Sequence, residues 1–389
     1  MTLRVVTVDG SPASARALVA AVRAALEGGP AVLPLGPGEP VPTADPGPGT
    51  ALVIATSGST GVAKHVVLSA AALRASALAT AARLGGSGRW LLALPAQHVA
   101  GVQVVVRSLL AGAPPVVQDL RDGFRPEAFA AATRQLGTGR RSTSLVPTQL
   151  GRILDAGGAA LDALRGYDAV LVGGAALTPS LRARAGAAGV AVVTTYGMSE
   201  TAGGCVYDGR PLDGVRVALD ADGRILLGGA TLADGYLDAP ALTAAAFAGG
   251  WFRTSDLGRW RDGRLEVLGR ADDVIVTGGE KVAPAAVERV LAAQAGVAAA
   301  CVVGLPDREW GRLVAAAVVP EGGAPGRPPD PALDPVLAER LRAAVRAELG
   351  RAAVPRILRA VAAIPLRGIG KPDRAATAQI LTRPHHRDG

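Results

Sequence analysis

Lysine is what this 389-residue chain has least of among its charged side chains: there are three, at positions 64, 281 and 371, and arginine fills every other cationic position. The two are interchangeable on a solvated surface but not where a compact point charge is needed, so each retained lysine is a candidate for chemistry. Aromatic residues make up only 3% of the sequence, so the core must be built of Ala, Val and Leu, and surfaces for base stacking are scarce. Despite a net charge of +8 there is no run of five basic residues, which argues against nucleic acid and leaves attraction of small anions as the use of that charge. Two distant cysteines, Cys205 and Cys301, exclude a disulfide framework and a Cys-x-x-Cys metal site. No uncharged apolar run is long enough to cross a bilayer, and the first ten residues lack a basic region followed by an apolar one, so a cytoplasmic protein is expected.

The length suits two folding units. Over residues 1–50 the pattern predicts a short strand, an Ala-rich helix over 11–26 and a Pro/Gly/Asp connection to Pro48. Ala51-Leu-Val-Ile-Ala55 reads as a strand that passes through a small-residue loop, 56–64, into a helix capped by Ser69 and ending near Leu84. A buried strand over 90–94 and an amphipathic helix over 102–110 follow. Strands at 115–117, 142–146, 169–172 and 190–196 then alternate with helices that start near Pro126, Pro147 and Pro179, where the missing proline N–H had no partner anyway. This alternation predicts an α/β fold whose mainly parallel sheet is covered by helices on both faces. After Gly204 the Asp-Gly turns at 222–223 and 262–263 mark hairpins of a small antiparallel part.

The polar segment Gly269-Arg-Ala-Asp-Asp273 is the expected boundary, giving a large N-terminal domain over 1–271 and a small α+β domain over 272–389. The latter is predicted to hold a strand to Val276, a helix from Pro284, strands around Val302 and Val318, a Pro/Gly-rich loop over 320–335, a helix to Leu349 and a last strand ending at Pro365. His385-His386 is expected in a frayed tail rather than a metal site.

The chain is organised around Thr56-Ser-Gly-Ser-Thr-Gly-Val-Ala-Lys64. In such a loop glycines turn backbone N–H groups toward one point, the hydroxyls of Thr56, Ser57, Ser59 and Thr60 add donors, and Lys64 supplies charge. A polyphosphate is the natural guest, and a plain surface connection is the alternative. It is not a Walker loop, because Ala63 stands five residues after Gly58 and no Ser or Thr follows Lys64. Thr195-Tyr-Gly-Met-Ser-Glu-Thr201 follows a buried strand, at the carboxyl edge where α/β sheets place ligands. There Tyr196 can stack on a purine, Gly197 permits close approach, and Glu200 can hold Mg²⁺ between phosphate oxygens; a capped loop with a solvated Glu is the plainer option. Gly173-Gly-Ala175 ends another strand of that sheet, Asp256 offers a carboxylate for both hydroxyls of a ribose, and Lys371 sits in the Gly-rich turn Arg367-Gly-Ile-Gly-Lys371.

Together and in this order these segments resemble the adenylate-forming superfamily of acyl- and aryl-CoA ligases. The loop at Thr56 is similar to its phosphate-binding signature, the segment 195–201 to its adenine and magnesium motif, and Thr254-Ser-Asp256 to its ribose motif. Residues 269–273 resemble its hinge and Gly370-Lys371 its catalytic-lysine motif. The resemblance implies ATP, Mg²⁺ and coenzyme A as cofactors and two half-reactions: attack of a carboxylate on the α-phosphorus of ATP, then capture of the acyl adenylate by the thiol. It further implies that Lys371 stabilises charge in the first half-reaction together with Glu200, Thr201 and His98. The small domain then swings about Asp272 to present Gly278-Gly279, with Arg270 beside the nucleotide. Lys281, just past the hinge, is expected to meet CoA phosphates.

Within that superfamily the stretches 90–107, 196–208 and 367–371 resemble the short actinobacterial o-succinylbenzoate-CoA ligases, whose phosphate loop lies unusually close to the N-terminus. The implied substrate is a small aromatic dicarboxylate, for which His98 would shape the acyl pocket and Arg107, among Val104, Val105, Val106 and Leu109, would anchor the spectator carboxylate. A CoA ligase for another aryl or acyl acid, and an adenylation enzyme loading a carrier protein, are the alternatives; a homodimer is expected by analogy alone. Three positions depart from the superfamily pattern: Ala63 for the loop proline, His65 for glycine, and Ala100 for a frequent serine.

Overall fold

The computed structural model describes residues 3–57, 63–321, 333–367 and 371–382. The chain begins β1 (Arg4–Thr7), α1 (Pro12–Leu26), β2 (Val32–Leu35), β3 (Thr50–Ser57), β4 (Ala63–Ser69) and α2 (Ala70–Arg83). There follow β5 (Arg89–Leu92), α3 (Val99–Leu110), β6 (Val116–Val117), α4 (Pro126–Thr133), β7 (Arg141–Leu145), α5 (Pro147–Ala156) and α6 (Gly158–Arg165). Next come β8 (Ala169–Val172), α7 (Pro179–Ala187), β9 (Val192–Met198), a 3-10 turn at Ser199–Thr201, β10 (Gly203–Tyr207) and β11 (Arg210–Pro211). The strand-rich part holds β12 (Val215–Leu219), β13 (Arg224–Gly229), β14 (Gly235–Tyr236), α8 (Pro240–Ala246), β15 (Phe247–Ala248), β16 (Trp251–Arg261) and β17 (Arg264–Arg270). Beyond a 3-10 turn at Ala271–Asp273 lie β18 (Ile275–Thr277), β19 (Glu280–Val282), α9 (Pro284–Ala292), β20 (Val297–Asp307), β21 (Gly311–Pro320) and α10 (Pro335–Leu349). The described chain ends β22 (Ile357–Ala360), β23 (Leu366–Arg367), β24 (Lys371–Pro372) and α11 (Arg374–Thr382).

The expected α/β sheet is present as seven strands in the order β11-β10-β9-β8-β7-β5-β6, with β6, β5, β7, β8 and β9 parallel and β10 and β11 antiparallel. All the parallel strands therefore end at one edge, where the segments after β5, β8 and β9 emerge. A second, five-stranded sheet, β1-β2-β3-β4-β14, packs its helices α1 and α2 into the same core as α3. The antiparallel part is the sheet β12-β13-β16-β15 with β17 on β16, and its β16–β17 hairpin turns at Asp262, whose φ of 50° is one that Asp tolerates better than most residues. In the C-terminal part, α9 and α10 cover the sheet β20-β21-β22 from one side, where Val287, Val290, Leu291, Leu341 and Val345 are buried, and α11 covers the other.

Four expectations change. Residues 63–69 form β4, antiparallel to β3, so the Thr56 loop joins two strands and the helix starts only after the second. The alternating, β-branched run His65-Val-Val-Leu68 accounts for this: Val66 and Leu68 are fully buried beneath α1 and α2. Val32–Leu35, read as part of a connection, is the fully buried strand β2, which a proline at position 34 concealed. Helix α3 is not amphipathic, because Gly101 through Ser108 are all buried between α2, β5 and the sheet. The last strand of the C-terminal sheet stops at Ala360, and the β23–β24 hairpin and α11 follow it. The glycine-rich positions 58–61 and the tail with His385 and His386 lie outside the described residues.

Candidate active site

Strand geometry brings the retained residues together. Register along β3 and β4 sets Thr56 opposite Lys64, and the Thr56 hydroxyl donates to the Lys64 carbonyl at 3.2 Å. On the far side of β4 lies β14, where Tyr236 pairs with Val66. The Lys64 ammonium sits over the Tyr236 ring, 5.5 Å from its centre, and the Tyr236 hydroxyl donates to Glu200 Oε1 at 2.9 Å. Burial, followed by the charge of Glu200, pushes the Tyr236 hydroxyl well above the usual tyrosine range, so it stays a donor. A backbone bond from Ala233 N–H to the Glu200 carbonyl, 2.9 Å, fixes the same junction.

The neighbouring cluster starts on the same segment. Tyr196, at the end of β9, donates its hydroxyl to Asp256 Oδ2 at 2.8 Å, and burial plus that carboxylate raise its pKa as well. Asp256 on β16 pairs in register with Arg270 on β17, whose guanidinium lies 3.9 Å from Asp256 Oδ1 and 2.8 Å from Asp272 Oδ2. The Thr254 hydroxyl receives the Asp256 N–H at 3.0 Å and donates to the Ile225 carbonyl at 2.8 Å, which holds the carboxylate loop to β13. Lys64, Tyr236 and Glu200 are thus joined through the short segment 196–200 to Tyr196, Asp256, Arg270 and Asp272.

Two glycines make room for this. A Cβ on Gly197 would lie 2.1 Å from the Gly203 carbonyl, and one on Gly173 would lie 2.3 Å from the Thr195 hydroxyl, so side chains there would push β8, β9 and β10 apart. Gly174 and Ala175 continue from β8 at the same edge. Ser199 is buried, and Met198 is half-buried against the strands β12 and β13.

His98 caps the start of α3. That end of the helix rests on the 199–203 turn, because Val99 and Gln103 are the side chains facing Gly203, and Gln103 donates to the Ala202 carbonyl at 2.7 Å. His98 stands at that end of the helix, with the exposed Ala100 near it. Arg107 lies deeper along the same helix. It lies nine residues further, about 13 Å along the helix axis, one turn beyond Gln103 and on the same face, which packs on β10. There it is 7% exposed, with its guanidinium over the Trp90 ring at 5.2 Å and donating to the Tyr207 hydroxyl at 3.2 Å. Tyr207 in turn shares a hydrogen with Thr80 at 2.9 Å, so the Arg107 guanidinium is linked through β10 to α2. Thr201 is likewise internal: it is fully buried, takes the Met198 N–H at 3.0 Å and donates to Gly203 O at 2.8 Å, so its hydroxyl ties the turn that carries Glu200.

Gly278-Gly279 forms the two-residue turn of the β18–β19 hairpin, with Gly278 against the Trp310 ring, and Lys281 is exposed on β19. Lys371 lies on β24, opposite Arg367. Sequence reasoning missed Tyr236. Its signal was scarcity: the chain has four tyrosines, and each donates or shares a hydroxyl hydrogen with a partner in a packed site.

The family model for AMP-binding enzymes matches residues 3–237, and that for the AMP-binding enzyme C-terminal domain matches residues 286–371. The chain belongs to the AMP-binding enzyme family. A probable 2-succinylbenzoate–CoA ligase of Mycobacterium tuberculosis strain H37Rv is 49% identical over 329 residues, 84% of this chain and 83% of the relative. The amide bond synthetase McbA of Marinactinospora thermotolerans matches in structure with a TM-score of 0.74 at 30% identity, covering 97% of this chain and 80% of that one. The o-succinylbenzoate CoA synthetase of Bacillus subtilis, solved with its acyl-adenylate intermediate, gives a TM-score of 0.69 at 26% identity over 84% of this chain and 69% of that one. Among the described residues no helix is long and apolar enough to cross a membrane.

Proposed function

We propose that this AMP-binding enzyme ligates o-succinylbenzoate to coenzyme A with ATP, releasing pyrophosphate and AMP. The observation that carries the adenylation half is the continuous set of contacts from Lys64 through Tyr236 and Glu200 to Tyr196, Asp256, Arg270 and Asp272. The choice of acid is supported by the 49% identical relative.

The substrate carboxylate is a poor electrophile, so it first attacks the α-phosphorus of ATP, with pyrophosphate leaving and an acyl adenylate forming. Thr56, Ser57, Gly58, Ser59, Thr60, Gly61 and Lys64 cradle the phosphates on this reading, and Asp256 accepts the ribose hydroxyls while Tyr196 and the Gly173-Gly-Ala175 strand end flank the base. Lys371 is the donor aimed at charge developing in this step. His98 shapes the pocket for the aromatic acid. The thiol of coenzyme A then attacks the acyl carbon and AMP leaves.

Glu200 is the candidate magnesium ligand. One of its oxygens is fixed by Tyr236, and among the described residues no group of three His, Cys, Asp or Glu side chains forms a cage, which fits a cation held by one carboxylate and substrate phosphates. Magnesium there would neutralise phosphate charge. The division at 271/272, the hinge role of Asp272, the CoA contacts of Gly278, Gly279 and Lys281, and a cytoplasmic homodimer belong to the same proposal.

The test is a pyrophosphate-release and thioester assay with o-succinylbenzoate and with benzoate, each with and without CoA. A CoA thioester from the first acid alone supports the reading. Turnover of benzoate alone removes the proposed acid, and a product formed with an amine in place of CoA would favour the chemistry named for McbA.

A further inference from the structure

Arg374 has no role in the account so far, yet it is the most heavily engaged cation in the C-terminal part. It opens α11, three residues beyond Lys371, and its side chain is 27% exposed. Its two terminal nitrogens grip both oxygens of Glu288 on α9, one at 3.2 Å, and one of them also donates to the Val302 carbonyl at 2.7 Å. Glu288 is itself fixed by the Val302 N–H at 2.8 Å. The remaining nitrogen, Nε, donates to Asp273 Oδ2 at 3.2 Å. Asp273 is the residue that follows Asp272 in the 3-10 turn between β17 and β18.

The segment between Lys371 and Arg374 has little slack. Arg367 pairs with Lys371 and Leu366 with Pro372, the Asp373 N–H donates to the Pro365 carbonyl at 2.7 Å, and the Asp373 carboxylate caps α11 through the Ala376 N–H at 3.0 Å. A residue held at Arg374 therefore holds the hairpin. Arginine suits this post because its planar fork takes a carboxylate at two points and leaves Nε for a second partner, which lysine cannot do.

We infer that Arg374 is a positioning residue that ties the Lys371 hairpin to Asp273, so that rotation at the neighbouring Asp272 is passed to Lys371 directly. This rests on the proposed roles of Asp272 and Lys371. Of the cations around the turn, Arg270 reaches Asp272 from the large part and Arg374 reaches Asp273 from the small one, so adjacent carboxylates are held from opposite sides of the proposed pivot.

The experiment uses the full chain and separates the half-reactions: acyl-adenylate formation from acid and ATP, and thioester formation from supplied acyl adenylate and CoA. Displacing a catalytic group by about 1 Å can cost about a hundredfold, so Arg374→Gln should slow adenylation by about that factor with KM for ATP and acid unchanged. Asp273→Asn, which leaves the Glu288 grip in place, should slow it about tenfold, and both variants should use supplied acyl adenylate within about twofold of wild type. Arg374→Lys should not restore the loss. Equal decline in both half-reactions, or unchanged adenylation in Asp273→Asn, overturns the inference. Amide exchange reports the tie without turnover: Asp273→Asn should speed exchange at Asp373, and unchanged exchange would overturn the tie even if the proposed acid were wrong.

Discussion

The two parts of the chain hold their site residues in opposite ways. In the large part, Lys64, Tyr196 and Asp256 stand on strands paired in register with their neighbours, Glu200 stands on the turn that follows β9, and side-chain contacts join one element to the next. In the small part, Lys371 rides on a two-residue strand, Gly278-Gly279 on a tight turn and Lys281 on an exposed edge. On the proposed function, groups needed in one geometry at every turnover are built into sheets, and those that serve one half-reaction are mounted on hairpins beyond a short polar turn. That proposal lets one site run two chemistries with only the second set moving.

That contrast is broken most sharply at Lys371. Lys371→Ala should lower adenylation by about a thousandfold, the scale of removing one donor to transition-state charge, while sparing thioester formation from supplied acyl adenylate. In the large part, Glu200→Gln should cost about a hundredfold in adenylation and raise the magnesium needed for half-maximal rate, since a hard cation loses its anionic ligand. Tyr236→Phe keeps the ring under Lys64 but frees the carboxylate. A fall of about threefold to tenfold in kcat for adenylation is expected, about the contribution of one hydrogen bond to a charged group, again with a higher magnesium requirement. Asp256→Asn should raise KM for ATP about tenfold with little change in kcat. The smallest functional effect is expected at Arg107. Arg107→Met should leave KM for the acid within about twofold and register as a change in unfolding midpoint, because the guanidinium is enclosed by Trp90 and Tyr207. A large rise in KM for the acid would instead make Arg107 the anchor of its second carboxylate.

Most of the fold that positions the site was legible. Proline at helix starts, Ser69 as a cap, and β-branched runs between helices located the parallel sheet, because those signals are local. Strand β4 and strand β2 were not legible because pairing makes them strands: a short run such as His65-Val-Val-Leu68 is held between the preceding strand Thr50–Ser57 and the distant Tyr236. Ordered motifs located Tyr196, Glu200 and Asp256, but no motif states which carboxylate Tyr196 will meet. Arg107 shows the limit of reading a single helix. An arginine among valines announces burial, and only the packing of β5 and β10 against the helix shows that the Trp90 ring and the Tyr207 hydroxyl receive its guanidinium. Tyr236 and Arg374 were passed over because each acts through another residue, and such roles depend on contacts 36 and 101 residues away in sequence.

The measurement that tests the account most directly is single-turnover analysis of wild type and Lys371→Ala with o-succinylbenzoate and ATP, with CoA withheld. Wild type should form acyl adenylate and pyrophosphate in about equal amounts, and the variant should form almost none yet convert supplied acyl adenylate to the CoA thioester. A variant that makes adenylate as fast as wild type, or that loses both half-reactions together, would contradict the division of labour between the two parts.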